Sequence, residues 1–289
     1  MSIQTTSPWA ATRDAKKLMA VALGNAAADM IVVHATLLNV YTGELLENQS
    51  ISIVDKWIAY VGPDADNAMG TETVIIDAGG QTLIPGLIDG HTHLAWMCSI
   101  DEYLRYIIPG GTTTIVTETL EPYPVGGLDA VKDFLASLEN QPIKFLTTAP
   151  AMVSISHDAA SMPLADLKWL LSQKHVIGLG ESYWQAVLQQ PDSLLPRLDE
   201  TLAHDKILEG HSAGASEKKL NAYLAAGISS CHEPIKADEV LQRLRLGIHV
   251  MAREGSIRRD LEDIVKITQN WLKTCYARAW RWPQPEIDY

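Results

Sequence analysis

Cysteine is scarce in this chain. Of 289 residues, three are cysteine: Cys98, Cys231 and Cys275. An odd number at wide spacings argues against a disulfide framework and suits a reducing cytoplasm. Long apolar runs are missing too. No window reaches the roughly 18 apolar residues of a membrane span. The opening segment lacks the basic start and apolar stretch of a secretory leader, because Leu18–Leu23 is bounded by charge upstream and by Gly24 downstream. A soluble cytoplasmic protein with no membrane partner is expected. Positive charge is the minority, with 23 basic against 35 acidic residues and a formal net charge of -12. Such a surface repels phosphate backbones, so no nucleic-acid partner is expected. Repeats and low-complexity segments are absent as well. What remains is ordinary globular material, 47% apolar and 20% charged, long enough for one large domain or two modest ones.

The texture changes along the chain. Residues 9–28 space Ala, Leu and Lys for one apolar helical face, which predicts a leading helical segment within 1–27. From 28 to 82, short β-branched runs are separated by Gly, Asn and Asp, as in MIVVHATLLNV, SISIVDKWIAYVG and TVIIDAGG. That pattern predicts a small antiparallel β module. Over 83–265, apolar runs alternate with helical stretches. The runs are TLIPGLIDG, TTTIVTE, KFLTTAP, VIGLGE, KILEGH, GISSCHE and LGIHVMA, and LDAVKDFLASLEN, LADLKWLLSQ and SEKKLNAYLAA lie among them. This alternation is the signature of parallel β/α units. Seven runs fall one short of a (β/α)8 barrel, and polar residues sit where a barrel carries its chemistry, at the C-terminal ends of strands. The expected fold is α/β, an incomplete (β/α)8 barrel behind an N-terminal β module. A doubly wound open sheet competes, but leaves the histidines at so many run ends unexplained. Residues 266–289 read as an atypical tail.

The strongest chemical signal is His91-Thr92-His93. On an extended strand, residues i and i+2 project to one side, so two imidazoles can converge on a divalent metal. Pro85-Gly86 and Asp89-Gly90 before the pair make it more specific than a lone HxH. Glu181 ends the run VIGLGE, where it could bridge two metals or serve as a helix N-terminal acid. His211 ends ILEGH, and His232 follows ISSC with Glu233 beside it. Each of these is weak alone. Four histidines and one carboxylate at four run ends together suit one or two ions such as Zn, Fe or Mn. His34, His157, His175, His204 and His249 read as structural. Arg253 and Glu254 are expected to pair with each other or to orient a substrate, and Glu118 to be an outer contact.

At these residues the chain resembles the amidohydrolase superfamily and, more narrowly, the adenine deaminases. The resemblance rests on IPGLIDGHTHL, PGGTTTIVTE, APAMV, GLGE, EGHSAGASEKKLNAYLAAGISSCHEP and RLGIHVMAREGS, and covers residues from about 28 to 260 in the family's order. It implies a TIM-like metallo-dependent hydrolase barrel with a dinuclear divalent metal site. His91, His93, Glu181, His211 and His232 would be the ligands, and Glu181 would also serve in catalysis. Glu233 would be a proton donor to a purine ring. The implied reaction converts adenine and water to hypoxanthine and ammonia, with a small purine base as substrate. Apart from the resemblance, seven parallel strands leave open edges, so a homo-oligomer that covers them is a possible assembly. A cyclic-amide hydrolase, an N-deacetylase or a non-catalytic remnant are the alternatives. Two departures stand out. IVTETLEP occupies the place of an Asp-Pro-His-Glu element, and no apolar run ending in aspartate follows Leu261, where only Asp263 and Asp288 occur. The expectation is a truncated or frameshifted product with impaired activity, whose Trp280–Trp282 segment could fold back over the gap.

Overall fold

The computed structural model describes residues 14–152, 162–254 and 259–267. His157, Cys275, Trp280, Trp282 and Asp288 lie outside the described residues. The described residues divide into two compact units, one up to Pro85 and the other from Gly86 on.

The described part of the first unit opens with α1 (Ala15–Ala22), which ends six residues before the helical pattern of residues 9–28 does. The Asp14 side chain caps it by accepting the Lys17 amide, and Leu18 and Val21, one turn apart, are its buried residues. Gly24, at φ 71°, takes the left-handed conformation that ends helices. A five-stranded sheet follows, made of β1 (Met30–Asn39), β2 (Glu44–Val54), β3 (Trp57–Gly62), β4 (Val74–Asp77) and β5 (Thr82–Leu83). Its order is β3-β2-β1-β4, with β5 also on β1. The first three strands pair antiparallel, as their tight turns require. β4 and β5 run parallel to β1. The module is therefore mixed rather than antiparallel, because the long connection from Gly62 to Val74 returns the chain to the end where β1 starts. Leu18, Val21, Ile31, Val33 and Val54 make its core.

The second unit carries seven parallel strands: β6 (Leu87–Thr92), β7 (Thr112–Glu118), β8 (Lys144–Pro150), β9 (Val176–Tyr183), β10 (Ile207–His211), β11 (Ser230–Cys231) and β12 (His249–Val250). Helices link them in turn. α2 (Leu94–Met97) and α3 (Ile100–Ile107) follow β6, and α4 (Pro122–Ser137), kinked at Gly126 and Gly127, follows β7. α5 (Leu164–Ser172) precedes β9, and α6 (Trp184–Gln189) and α7 (Pro191–Ala203) precede β10. α8 (Glu217–Ala225), α9 (Ala237–Arg245) and, after β12, α10 (Leu261–Ile264) complete the set. The helices cover the sheet with apolar stripes; in α5 the buried residues are Leu167, Leu170 and Leu171, at helical spacing.

The sheet is strongly curled. Five strand spacings of ~4.8 Å would hold β6 and β11 roughly 24 Å apart in a flat sheet. Instead the rings of His91, on β6, and His232, just after β11, stack with centroids 3.6 Å apart. A doubly wound open sheet cannot do this. The unit is an incomplete (β/α)8 barrel, with β6 and β12 at the ends of the sheet. Among the described residues, no helix is long and apolar enough to cross a membrane.

Candidate metal centre

Curling turns the C-terminal strand ends inward. His91 lies near the end of β6, and His93 immediately follows it. Glu181 is on β9, His211 closes β10, and His232 follows β11. All five meet around the Glu181 carboxylate. Its Oε1 lies 3.3 Å from His91 Nε2, 3.2 Å from His93 Nε2 and 3.6 Å from His232 Nε2. Its Oε2 lies 3.3 Å from His211 Nδ1. The Nε2 atoms of His91 and His93 are 3.3 Å apart. Glu181 takes φ 48°, in the left-handed region, a strain of ~1–3 kcal/mol that an L residue accepts only when its surroundings hold it there. That twist coincides with a register irregularity between β9 and β10, at Leu208 and Gly210. At the same place the Tyr223 hydroxyl, from α8, accepts the His211 amide and donates to the Ser182 carbonyl.

Three further carboxylates join this cluster. Glu209 Oε1 is 2.8 Å from His91 Nδ1 and 3.3 Å from His232 Nδ1. Glu118 Oε1 is 3.7 Å from His91 Nδ1, and Glu121 contacts His93 Nδ1. Glu118 is thus an inner neighbour of the histidines and only 1% exposed, not an outer contact. Sequence reasoning missed Glu209 and Glu121. The signal for Glu209 was present: it precedes His211 by two residues on one strand, the same spacing that singled out His91 and His93.

The electrostatics follow from burial and proximity. Burial pulls the His91 pKa down, but Glu181, Glu209 and Glu118 outweigh it and hold it at about 11. His93 is likewise lifted to about 9, by Glu121 and Glu181 against burial. Burial would raise Glu181, yet the imidazoles around it keep it well below the usual carboxylate range. Glu118 is pushed up, first by burial and then by Glu209. Burial lowers His232.

The donor set fits a divalent ion. Glu181 Oε2 and His211 Nδ1 are buried without a hydrogen-bond partner. Unpaired buried polar atoms are costly, and an ion offers such atoms a partner. Three groups could each hold one: His91, His93 and Glu181; Glu181, His211 and His232; and His91, Glu209 and His232. Imidazole and carboxylate together suit borderline ions such as Zn, Fe or Mn.

The rim is aromatic and charged. Trp96 stacks on His93 with centroids 4.7 Å apart, and Tyr183 on His211 at 4.3 Å. Glu233 Oε1 lies 3.5 Å from His232 Nε2 and accepts a hydrogen bond from Arg253. Arg253 therefore pairs with Glu233, across the strand ends, rather than with its neighbour Glu254; the Glu254 carboxylate accepts the Leu261 amide instead. Of the other histidines, His34 is exposed and pairs with Asp77, His204 pairs with Glu200, and His249 faces the Ser229 carbonyl.

Comparison with known proteins finds close kin in sequence. The chain is 36% identical over 259 residues to an adenine deaminase of Cenarchaeum symbiosum, covering 88% of this chain and 42% of that protein. It is 35% identical to one of Clostridium botulinum, over 91% of this chain and 45% of the relative. For one of Moorella thermoacetica the identity is 37%, over 87% and 43%. The chain thus spans less than half the length of these curated relatives. No family model matches it. Among solved structures, a beta-aspartyl dipeptidase of Fervidobacterium islandicum superposes with a TM-score of 0.60 at 15% identity, covering 84% of this chain and 70% of that one. Molinate hydrolase does so with a TM-score of 0.55 at 16% identity, covering 84% and 71%. At such low identity these two show a shared fold alone.

Proposed function

Because this chain is a homologue of curated adenine deaminases over most of its own length, we propose that it is a metal-dependent hydrolase of C–N bonds that acts on an aminopurine, adenine foremost. The observation that carries the reading is the convergence of four histidines, from three separate strand ends, on the single carboxylate of Glu181. In this reading His91, His93, Glu181, His211 and His232 hold one or two divalent ions, of Mn, Fe or Zn. Such an ion, when bound, lowers the pKa of water from about 15.7 toward ~7. The net reaction is adenine plus water to hypoxanthine plus ammonia.

The chain's own groups do the rest. Glu233 takes a proton from the attacking water and supplies it to a ring nitrogen, and Arg253 fixes the direction of its carboxylate. Glu181 is the second acid–base group in this reading, the carboxylate that passes a proton to the departing ammonia. Trp96 and Tyr183 stack on His93 and His211 and offer flat apolar surface that suits a planar heterocycle. The same reading is of a cytoplasmic protein with a small-molecule substrate.

Ammonia release from adenine by protein loaded with Mn, Fe or Zn tests the proposal. Metal-dependent release is expected, falling ~10²–10⁴-fold in Glu233→Gln, the usual loss for a general acid. Release that is absent with every metal, or unaltered by that substitution, would overturn it.

A further inference from the structure

The groups assigned above all face Glu181. Behind two of the histidines lies a carboxylate that none of those roles uses. We propose that Glu209 is a positioning residue of the metal centre, whose single oxygen holds the Nδ1 sides of His91 and His232 so that both Nε2 atoms face Glu181. The inference rests on the metal-hydrolase reading of the site.

The geometry is two-sided. On one side His91 Nδ1 and His232 Nδ1 lie 2.8 and 3.3 Å from Glu209 Oε1. On the other, their Nε2 atoms lie 3.3 and 3.6 Å from Glu181 Oε1. The two rings stack almost parallel between these carboxylates, with planes 13° apart. The Nδ1 approaches are ion-pair contacts rather than aligned hydrogen bonds. Glu209 is only 2% exposed, and among the described residues these two nitrogens are its ion-pair partners. A buried carboxylate without compensation is expensive, so the histidines stabilise Glu209 as much as it directs them.

The chemistry is that of imidazole tautomers. A neutral imidazole carries one N–H and one lone pair. A carboxylate at Nδ1 keeps the proton there and leaves the lone pair on Nε2, where an ion can take it. One residue on β10 thereby sets histidines from β6 and β11, which the curl alone brings together. Glu209, His91 and His232 could instead hold an ion among themselves. Alongside an ion on the Nε2 side, that arrangement would need both nitrogens of His91 as donors, and so the loss of both its protons. The positioning role asks for neither.

Zinc titration against a competing chelator tests this with the whole chain. Glu209→Gln keeps the shape and removes the charge. Its zinc affinity should fall ~10–100-fold, the usual cost of losing such a partner. Glu209→Asp, which retains a carboxylate, should recover part of the loss. Nitrogen-15 spectra of zinc-loaded wild type should show His91 and His232 protonated at Nδ1, and that signature should weaken in Glu209→Gln at unchanged circular dichroism. If Glu209→Gln fails to fold, the zinc affinity of Glu209→Asp and the wild-type spectra decide. Unchanged affinity in Glu209→Gln, or Nδ1 unprotonated in the wild type, would overturn the role of Glu209 while leaving the metal site standing. A wild type that binds no zinc would overturn both.

Discussion

Replacing Gly180 by alanine puts a carbon where the protein keeps a carboxylate. A Cβ built at Gly180 would lie 2.1 Å from Glu118 Oε1, and 2.5 Å from both Glu118 Oε2 and Thr148 Oγ1. Ordinary contact begins near 3.4 Å, so one group must retreat by about 1.3 Å. Little room exists for that: Glu118 is 1% exposed, and Thr117, Thr147 and Thr148 are fully buried. Overpacking of this kind costs ~1–3 kcal/mol. At ~2–4 °C per kcal/mol for a unit of this size, the melting temperature should drop by about 2–12 °C. Calorimetry of Gly180→Ala measures it, and a double-mutant cycle assigns the cause. In a Glu118→Ala background the two Glu118 contacts are gone and only the Thr148 Oγ1 contact at 2.5 Å remains, so part of the penalty should vanish as a coupling energy between contacting sites. An equal penalty with and without the Glu118 side chain would refute the steric reasoning.

Elemental analysis of chelator-stripped, resupplied protein should find one to two equivalents of Zn, Fe or Mn, with large losses in His91→Ala and Glu181→Ala and none in His34→Ala, whose ring is exposed beside Asp77. A negligible metal content in the wild type would contradict the centre. Lys206, whose ammonium meets the Gln173 and Val176 carbonyls, has its pKa held down by burial to about 8, below its ordinary 10.5. The unfolded chain therefore binds that proton more tightly, and stability rises as pH climbs from about 8 to 10.5. In urea melts, the stability of Lys206→Met relative to wild type should be highest below pH 8 and decline across that window; a pH-independent difference would contradict the assignment. Arg243, 2% exposed, donates to Ser212 Oγ at 3.0 Å, the Ser212 carbonyl at 2.7 Å and the Glu239 carbonyl at 3.1 Å. Arg243→Met should cost about 2–4 kcal/mol in chemical denaturation, because buried acceptors lose a charged donor; a loss under 1 kcal/mol would show that those acceptors find other partners.

Much of this was legible in the chain itself, for physical reasons. Strand alternation announced that His91 and His93 share a side, and apolar runs ending in polar residues announced a barrel mouth. Convergence of Glu181, His211 and His232 on that pair follows once the sheet curls. Strand direction in the first module was not legible. Alternation fixes which face a residue takes but not which way its strand runs, so β4 and β5 were read as antiparallel. The acidic layer was harder still. Glu121 looks like an ordinary surface acid until a fold buries it, whereas Glu209 carries one local signal, its place two residues before His211 on the same strand, and Glu118 one as well, its place at the end of an apolar run. The partner of Arg253 was missed because Glu233 is distant in sequence and Glu254 adjacent, and sequence nearness was the only guide.

The seam between β9 and β10 has an evolutionary consequence. There the Tyr223 hydroxyl stands in for backbone pairing, joining the Ser182 carbonyl to the His211 amide. It reaches that point only because residue 210 has no side chain: a Cβ on Gly210 would sit 2.4 Å from the Tyr223 oxygen. Neither position can drift freely while the other stays. Phenylalanine at 223 would strand two backbone groups beside the centre, and alanine at 210 would evict the hydroxyl that joins them. The two sites should therefore behave as one heritable unit, kept together or exchanged together across relatives. Lineages that break the pair are where a loosened Glu181–His211 spacing, and with it an altered appetite for metal, should first be sought.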